Sequence, residues 1–242
     1  MISVIIPTLN EESCIQETLE ALLAAAGDFE VIVVDGQSDD STASIASRYC
    51  QTITSTRGRA PQMNRGAQAA RGETLLFLHA DVAFPRSGCR SLEKAMEDHR
   101  VVGGNFDLIF EGDTAAPRIF TWINRWRRPF GIFYGDSGIF VRREIFDELR
   151  GYRPLPLMED YDFARRLVKR GKTAFVRDPL IVSSRRWEEH GLLRTMSLWF
   201  FLHTFYLAGV PARHLAPFYP PIRRRLLAQD EAWSPAGKGA TR

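Results

Sequence analysis

The sequence predicts an α/β fold on a mostly parallel sheet, followed by a helical C-terminal extension. Three observations carry that prediction. Short apolar runs alternate with stretches of helical periodicity over residues 1–100, and a β-α-β-α order implies parallel strands joined by right-handed crossovers. The run Thr74-Leu75-Leu76-Phe77-Leu78-His79-Ala80-Asp81, bounded by Gly72 and Pro85, has no charge before its end, as suits a strand covered on both faces. Each apolar run also ends in polar residues, which gives the sheet one chemically rich edge.

The elements follow in order. Ile2 to Ile6 reads as a strand stopped by Pro7, and Asn10-Glu11-Glu12 opens a helix with Ile15, Leu19, Leu22 and Leu23 at helical spacing, ended by Gly27. A second strand, Glu30 to Val34, runs into Asp35-Gly36-Gln37-Ser38-Asp39-Asp40, and Ser41 or Thr42 starts a helix carrying Ile45, Ala46 and Tyr49. Gln51 to Ser55 is a third strand, followed by the Arg57-Gly58-Arg59 turn and a helix through Met63, Ala67 and Ala70. The fourth strand spans Thr74 to His79. Alternation then puts Phe77, His79 and Asp81 on one face, with Asp81 just past the carboxyl end where open α/β sheets hold ligands. Read alone, this segment fits equally an aspartate that opens a turn.

Beyond Pro85, a helix with Leu92 and Met96 precedes a strand from Val101 to Phe110. Ile119 to Arg128 mixes aromatics with arginines. That mixture suits an anionic acceptor or a membrane surface, and equally a helix with its aromatic side packed inward. A helix starting at Glu159-Asp160 has Phe163, Leu167 and Val168 on its buried side and closes at Gly171. Leu192 to Val210 is apolar nearly all round and interrupted by Arg194 and His203. Three fates are open to it: burial against the main domain, a dimer contact, or a place at a membrane interface beside a lipid-linked acceptor; the Arg223, Arg224 and Arg225 cluster favours a surface of anionic lipid or a partner. From Gln229 onward the composition is that of a disordered tail.

Composition narrows the function. The chain of 242 residues is 45% hydrophobic and 25% charged, an ordinary globular balance. A net charge of +3 is too small to imply nucleic acid, while anionic substrates remain compatible. Cys14, Cys50 and Cys89 have no pairwise motif, which argues against disulfides or zinc and fits a cytoplasmic location. No signal peptide is expected from the opening Ile2-Ser3-Val4-Ile5-Ile6, and no run reaches the roughly 20 apolar residues of a membrane span.

Four strand ends converge on one sheet edge: Pro7-Thr8-Leu9-Asn10-Glu11, Asp35, Arg57 with Arg59, and His79 with Asp81. That set suits a nucleotide. An aspartate accepts from a ribose or base, arginines pair with a diphosphate, and an aspartate at the rim holds a divalent cation. Neither Gly-x-Gly-x-x-Gly nor a Gly-Lys-Ser/Thr loop is present, which disfavours a Rossmann dehydrogenase and a P-loop enzyme.

Ile5-Ile6-Pro7-Thr8-Leu9-Asn10-Glu11, Val33-Val34-Asp35-Gly36-Gln37-Ser38-Asp39-Asp40, His79-Ala80-Asp81 and Met158-Glu159-Asp160-Tyr161-Asp162 together resemble a family-2 glycosyltransferase over roughly residues 1–190. Arg57-Gly58-Arg59-Ala60-Pro61-Gln62-Met63-Asn64 and Ser184-Arg185-Arg186-Trp187 further resemble a bacterial subgroup of arsenosugar-biosynthesis-associated glycosyltransferases. The resemblance implies a GT-A fold, a Rossmann-like three-layer sandwich. It divides the chain into a catalytic domain at 1–190 (nucleotide-sugar half 1–100, acceptor half 101–190), an apolar helical extension at 191–228 and a tail at 229–242.

It also implies roles. Pro7, Thr8, Asn10, Glu11 and Asp35 would meet the nucleoside of a UDP-type sugar donor, and Arg57, Arg59 and Asn64 its base or phosphates. Asp81 would hold Mn2+ or Mg2+ beneath the diphosphate. His79 stands where the family has an acidic residue; it would join the metal, touch a phosphate or pack on Phe77. Asp160, with Glu159 as the alternative, would take the proton from the acceptor hydroxyl, and both also suit the first turn of a helix. Arg186 and Trp187 would contact the diphosphate and a sugar. Ser183 replaces the glutamine of processive relatives, so transfer of a single sugar is expected. A nucleotide-sugar binding protein without catalysis and a sugar nucleotidyltransferase are the alternatives.

Overall fold

The computed structural model describes residues 1–110, 115–127, 132–182 and 192–219. One sheet organises them. Its strands are β1 (Ile2–Thr8), β2 (Phe29–Asp35), β3 (Gln51–Thr54), β4 (Thr74–Phe77), β5 (Val82–Ala83), β6 (Val101–Phe110), β7 (Ile139–Arg142) and β8 (Lys172–Val182), in the order β3-β2-β1-β4-β7-β6-β8-β5. The first four in that order run parallel, with Thr8 opposite Asp35 where β1 and β2 end. β7 is antiparallel to both β4 and β6, β6 runs parallel to β8, and β5 is antiparallel to β8.

Helices α1 (Ile15–Leu23), α2 (Thr42–Ala46), α3 (Arg59–Ala69), α4 (Gly88–Met96), α5 (Ala115–Arg127), α6 (Arg143–Glu148), α7 (Glu159–Arg170), α8 (Leu192–Leu207) and α9 (Ala212–Leu215) connect or cover these strands. The period-2 alternation of β1 sorts them into layers. Ile2, Val4 and Ile6 meet Leu19 and Leu22 of α1 and Leu92 of α4. Ile5 faces the opposite layer, with Met63 of α3, Phe146 of α6 and Phe163 of α7. The result is helix, sheet, helix: three layers, as expected.

Two boundaries depart from the sequence reading. The first helix begins at Ile15 rather than at Asn10, because Asn10 adopts φ 57° and residues 11–14 form a turn closed by Cys14 N–H donating to Glu11 O at 3.1 Å. The fourth strand stops at Phe77, where the register with Ile139–Arg142 of β7 ends. Past it, Leu78 N–H still donates to Ile5 O. Strand alternation therefore does not set the directions of His79 and Asp81; the turn after β4 does. On α5, Trp122 and Trp126 are 64% and 60% exposed, so these aromatics are not packed inward.

Layer spacing is set tightly under α3. A Cβ on Gly66 would lie 2.4 Å from Ile5 Cγ2 and 2.9 Å from Val34 Cγ2, both on residues without solvent exposure. Alanine at this helical position would gain about 0.5–1 kcal/mol in backbone propensity, but overpacking typically costs about 1–3 kcal/mol. Gly66→Ala is therefore expected to lower unfolding stability by about 1–2 kcal/mol in urea denaturation, with overpacking outweighing propensity; an unchanged midpoint would contradict this packing account.

Candidate active site

The loops after β1 and β2 are laced together at the carboxyl edge of the sheet. Asn10 N–H donates to Ser38 Oγ at 2.9 Å, and Asn10 Oδ1 accepts from Asp39 N–H at 2.8 Å. Glu11 N–H donates to Thr42 Oγ1 at 2.7 Å, and Glu12 Oε2 accepts from Ser41 N–H at 3.0 Å. Pro7 is half-buried in the same strand end. Asp35, 3% exposed, accepts from Thr8 Oγ1 at 3.3 Å, from Ser38 N–H at 2.9 Å and from Ser38 Oγ. Asp35 thus anchors the very loop that was expected to surround a nucleoside. Arg57 joins this platform from the loop after β3, its Nη2 donating to Gln37 O and Asp39 Oδ2, each at 3.0 Å.

Sequence reasoning missed Gln62. Its buried amide Nε2 donates to Thr8 O and Val34 O, each at 2.7 Å, and so ties the ends of β1 and β2 to α3. Thr8 O also accepts from Gly36 N–H at 2.9 Å, so the amide adds a second bond to this buried carbonyl. A lone glutamine beside Pro61 gave no periodic signal of it. Asn64, expected at the base or phosphates, is engaged in this structure with the backbone of Tyr152. Its amide donates to Tyr152 O and accepts from Tyr152 N–H, both at 2.8 Å, which fixes the turn after α6.

At the other side of the edge, Gly135 brings β4 and α7 together. Gly135 N–H donates to Asp160 Oδ2 at 2.8 Å, and a Cβ on Gly135 would lie 3.1 Å from both Asp160 Oδ2 and His79 Nε2. The absent side chain leaves the imidazole and the carboxylate as neighbours. Asp160 Oδ1 also accepts from Tyr161 N–H at 2.7 Å, which orients it at the first turn of α7. Asp81 is exposed at the rim beyond β4, and His79 is half-buried behind it.

The two candidate bases differ in environment. Asp160 is half-exposed, whereas Glu159 is 4% exposed with Arg59 Nη1 at 3.9 Å. Burial, then the adjacent Asp160 carboxylate, push Glu159 up to about 7, against the pull of Arg59. Beside Asp160, Tyr161 stacks on Tyr134 (5.4 Å between centroids) and meets His203 of α8 edge-on at 4.7 Å. The Tyr134 hydroxyl and His203 Nδ1 are hydrogen bonded at 2.9 Å. Burial, then Arg127 and Arg165, hold His203 below its ordinary value. The extension is therefore docked beside the acid residues by an aromatic cluster. Arg186 and Trp187 lie outside the described residues, as do Arg223, Arg224 and Arg225.

Among the described residues, no three His, Cys, Asp or Glu side chains cluster as a metal cage. His79 and Asp81 offer one imidazole and one exposed carboxylate. That donor set fits a hard divalent cation only as a partial site, with water and ligand oxygens completing the shell.

Glu159 has a measurable consequence. Its folded-state value lies above its unfolded one, so the unfolded chain releases this proton first as pH rises. Stability is fully present below about pH 4.5, falls as pH rises towards about 7, and stays reduced above it. Glu159→Gln should abolish that loss, making the variant more stable than wild type at pH 8 by on the order of 1–3 kcal/mol and nearly equal at pH 4. Denaturation at both pH values checks this; a constant offset would contradict it.

A sequence profile described as Glycosyl transferase family 2 matches residues 3–158. Glycosyltransferase AglD of Haloferax volcanii is 30% identical over 167 residues, which span 63% of this chain and 26% of AglD. S. aureus TarS 1-349 in complex with UDP-GlcNAc superposes with a TM-score of 0.64 at 19% identity, covering 76% of this chain and 58% of TarS. The mannosyltransferase PcManGT of Pyrobaculum calidifontis, in complex with GDP-Man and Mn2+, gives 0.60 at 24% identity, covering 76% and 56%. This chain thus spans less than two thirds of each of these proteins. The sheet order and layers are those of the GT-A fold that these structures share. With the matched profile running from β1 to Met158, the residue before α7, the chain belongs to glycosyl transferase family 2.

Proposed function

We propose that this chain moves one sugar from a nucleotide-diphosphate sugar, UDP-linked, to an acceptor hydroxyl by direct displacement with inversion. The observation that supports this reading best is the meeting of two halves at Gly135. His79, in the segment after β4 that leads to Asp81, neighbours the partly exposed carboxylate Asp160 across Gly135. Residues 1–100 serve as the donor half, 101–190 as the acceptor half and 191–228 as an extension beside them.

Inverting transfer needs a base on the acceptor oxygen and charge neutralisation on the departing diphosphate. Asp160, oriented by two backbone N–H groups and partly exposed, suits the first need. Such a base typically contributes 10²- to 10⁴-fold. Glu159 is buried against Arg59 and acts as a neighbour that tunes the helix start. Asp81 would hold Mn2+ or Mg2+ with His79 beside it, and the bound cation supplies charge neutralisation at the leaving diphosphate. Pro7, Thr8, Asn10, Glu11, Asp35 and Arg57 shape the nucleoside platform, and Arg59 faces the phosphates from the start of α3. PcManGT, solved with GDP-Man and Mn2+, and TarS, solved with UDP-GlcNAc, support the donor class by family likeness.

No helix of the described residues is long and apolar enough to cross a membrane. Exposed Trp122 and Trp126 on α5, and separately Phe200 and Phe205 on α8, support peripheral contact with the cytoplasmic side of a membrane, a homodimer being the rival use of these exposed side chains. A lipid-linked acceptor would suit it. A binding protein without catalysis remains a distinct reading, because His79 replaces an acidic residue.

Asp160→Asn should leave UDP binding within about two-fold of wild type while lowering kcat by about 10²- to 10⁴-fold. Sugar-nucleotide turnover followed with calorimetric UDP binding decides this, and a fully active variant would remove the role from Asp160. Asp81→Asn should raise the Mn2+ concentration for half-maximal turnover by about ten-fold or more. Turnover indifferent both to chelator and to this substitution would overturn the metal role, and no turnover with any nucleotide sugar would favour the binding-protein reading.

A further inference from the structure

A cavity of about 630 Å³ opens between the loop before α7, α7 itself and the turn joining α8 to α9. Its wall includes Arg153, Arg165 and Arg213, with Asp162, Tyr206 and Leu207. The charges are unequal: three guanidiniums against one carboxylate, a formal excess of two positive charges. Asp162 is 8% exposed and already turned onto Arg153 Nη1 at 3.1 Å and Arg166 Nε at 2.8 Å. Arg166 completes its own fork on Leu149 O and Gly151 O, which fixes the cavity's loop wall to α7.

The other two arginines are differently engaged. Arg165 lies over the Tyr161 ring at 5.8 Å, and Arg213 Nε donates to His214 Nε2 at 3.4 Å. Among the described residues, neither is paired with a carboxylate. Guanidiniums held on one concave surface and lacking carboxylate partners form an anion site, because the planar fork matches phosphate oxygens two at a time. The cavity also adjoins the candidate base. Tyr206 packs on Tyr161 at 6.1 Å, Tyr161 follows Asp160, and Arg165 lies about 7.5 Å further along α7 by helical rise.

We propose that this cavity binds a phosphate group carried by the acceptor, held by Arg165 and Arg213 beside the Arg153–Asp162 pair. A phosphate monoester carries about 1.5–2 negative charges at neutral pH, which matches the excess of two better than a single carboxylate does. Leu207, 52% exposed at the cavity wall, gives an apolar surface on which the rest of such a molecule can lie. The assignment rests on the transferase reading for the word acceptor, and on the cavity alone for the anion.

The test uses the full chain, saturated with UDP so that its donor platform is filled, and titrates inorganic phosphate calorimetrically. Phosphate should bind, and Arg165→Ala combined with Arg213→Ala should weaken it by about ten-fold or more while UDP affinity stays within about two-fold. Arg213→Glu, on a short helix away from Tyr161, provides a second variant that should weaken phosphate binding with the thermal transition unchanged. A parallel arm measures retention on phosphatidylcholine vesicles with and without phosphatidic acid. Arginine-dependent retention identifies a lipid phosphate, and phosphate binding without retention identifies a soluble one; both support the site. Phosphate binding that survives the substitutions, or that excess UDP displaces, would overturn it. If UDP does not bind but arginine-dependent phosphate binding persists, the donor reading fails and the anion site stands.

Discussion

The hydrogen bond from Gly135 N–H to Asp160 Oδ2, 2.8 Å long, joins parts of the chain that the fold could otherwise hold apart. It depends on topology. β7 runs antiparallel beside β4, so the turn before β7 lies at the end where β4 stops, and α7 begins against that turn. It depends equally on a missing side chain, since a Cβ at position 135 would crowd both His79 and Asp160 to 3.1 Å. The Asp160 carboxylate and the His79 imidazole meet there because a single glycine lets them approach.

The opposite side of the edge is held by polar bonds of another kind. Asp35, Ser38, Asn10 and Gln62 bind the ends of β1 and β2 into a rigid platform. Such groups have little freedom to rearrange, which suits pre-organised binding more than induced closure. The aromatic cluster of Tyr134, Tyr161 and His203 does the same on the far side of the edge, docking α8 beside Asp160. Leu202 and Thr195 of that helix are buried, whereas Phe200 is 75% exposed, so α8 is both a wall and an open face.

Much of this was legible in the sequence. The parallel strands, their polar ends and the start of α7 at Glu159 follow from hydrophobic periodicity and turn residues. Local rules did not reach the rest. Asn10 looked like a helix opener, but its left-handed backbone and its bond to Asp39 delay the helix to Ile15. Asn64 was expected as a ligand contact, and its clamp on Tyr152, 88 residues away in sequence, is a contact that no local rule suggests. The arginines of the α7 cavity lie on three separate segments, and only tertiary packing assembles them. Of the paired acids, exposure separates them: Asp160 is reached from solvent and Glu159 is not.

The most direct measurement is a crystal structure of the chain soaked with UDP and Mn2+. The account predicts the uracil against the Asp35 to Arg57 platform, the diphosphate beside Asp81, and Asp160 open across the gap. Nucleotide bound away from the carboxyl edge of β1, β2 and β4, or a diphosphate remote from Asp81, would contradict it.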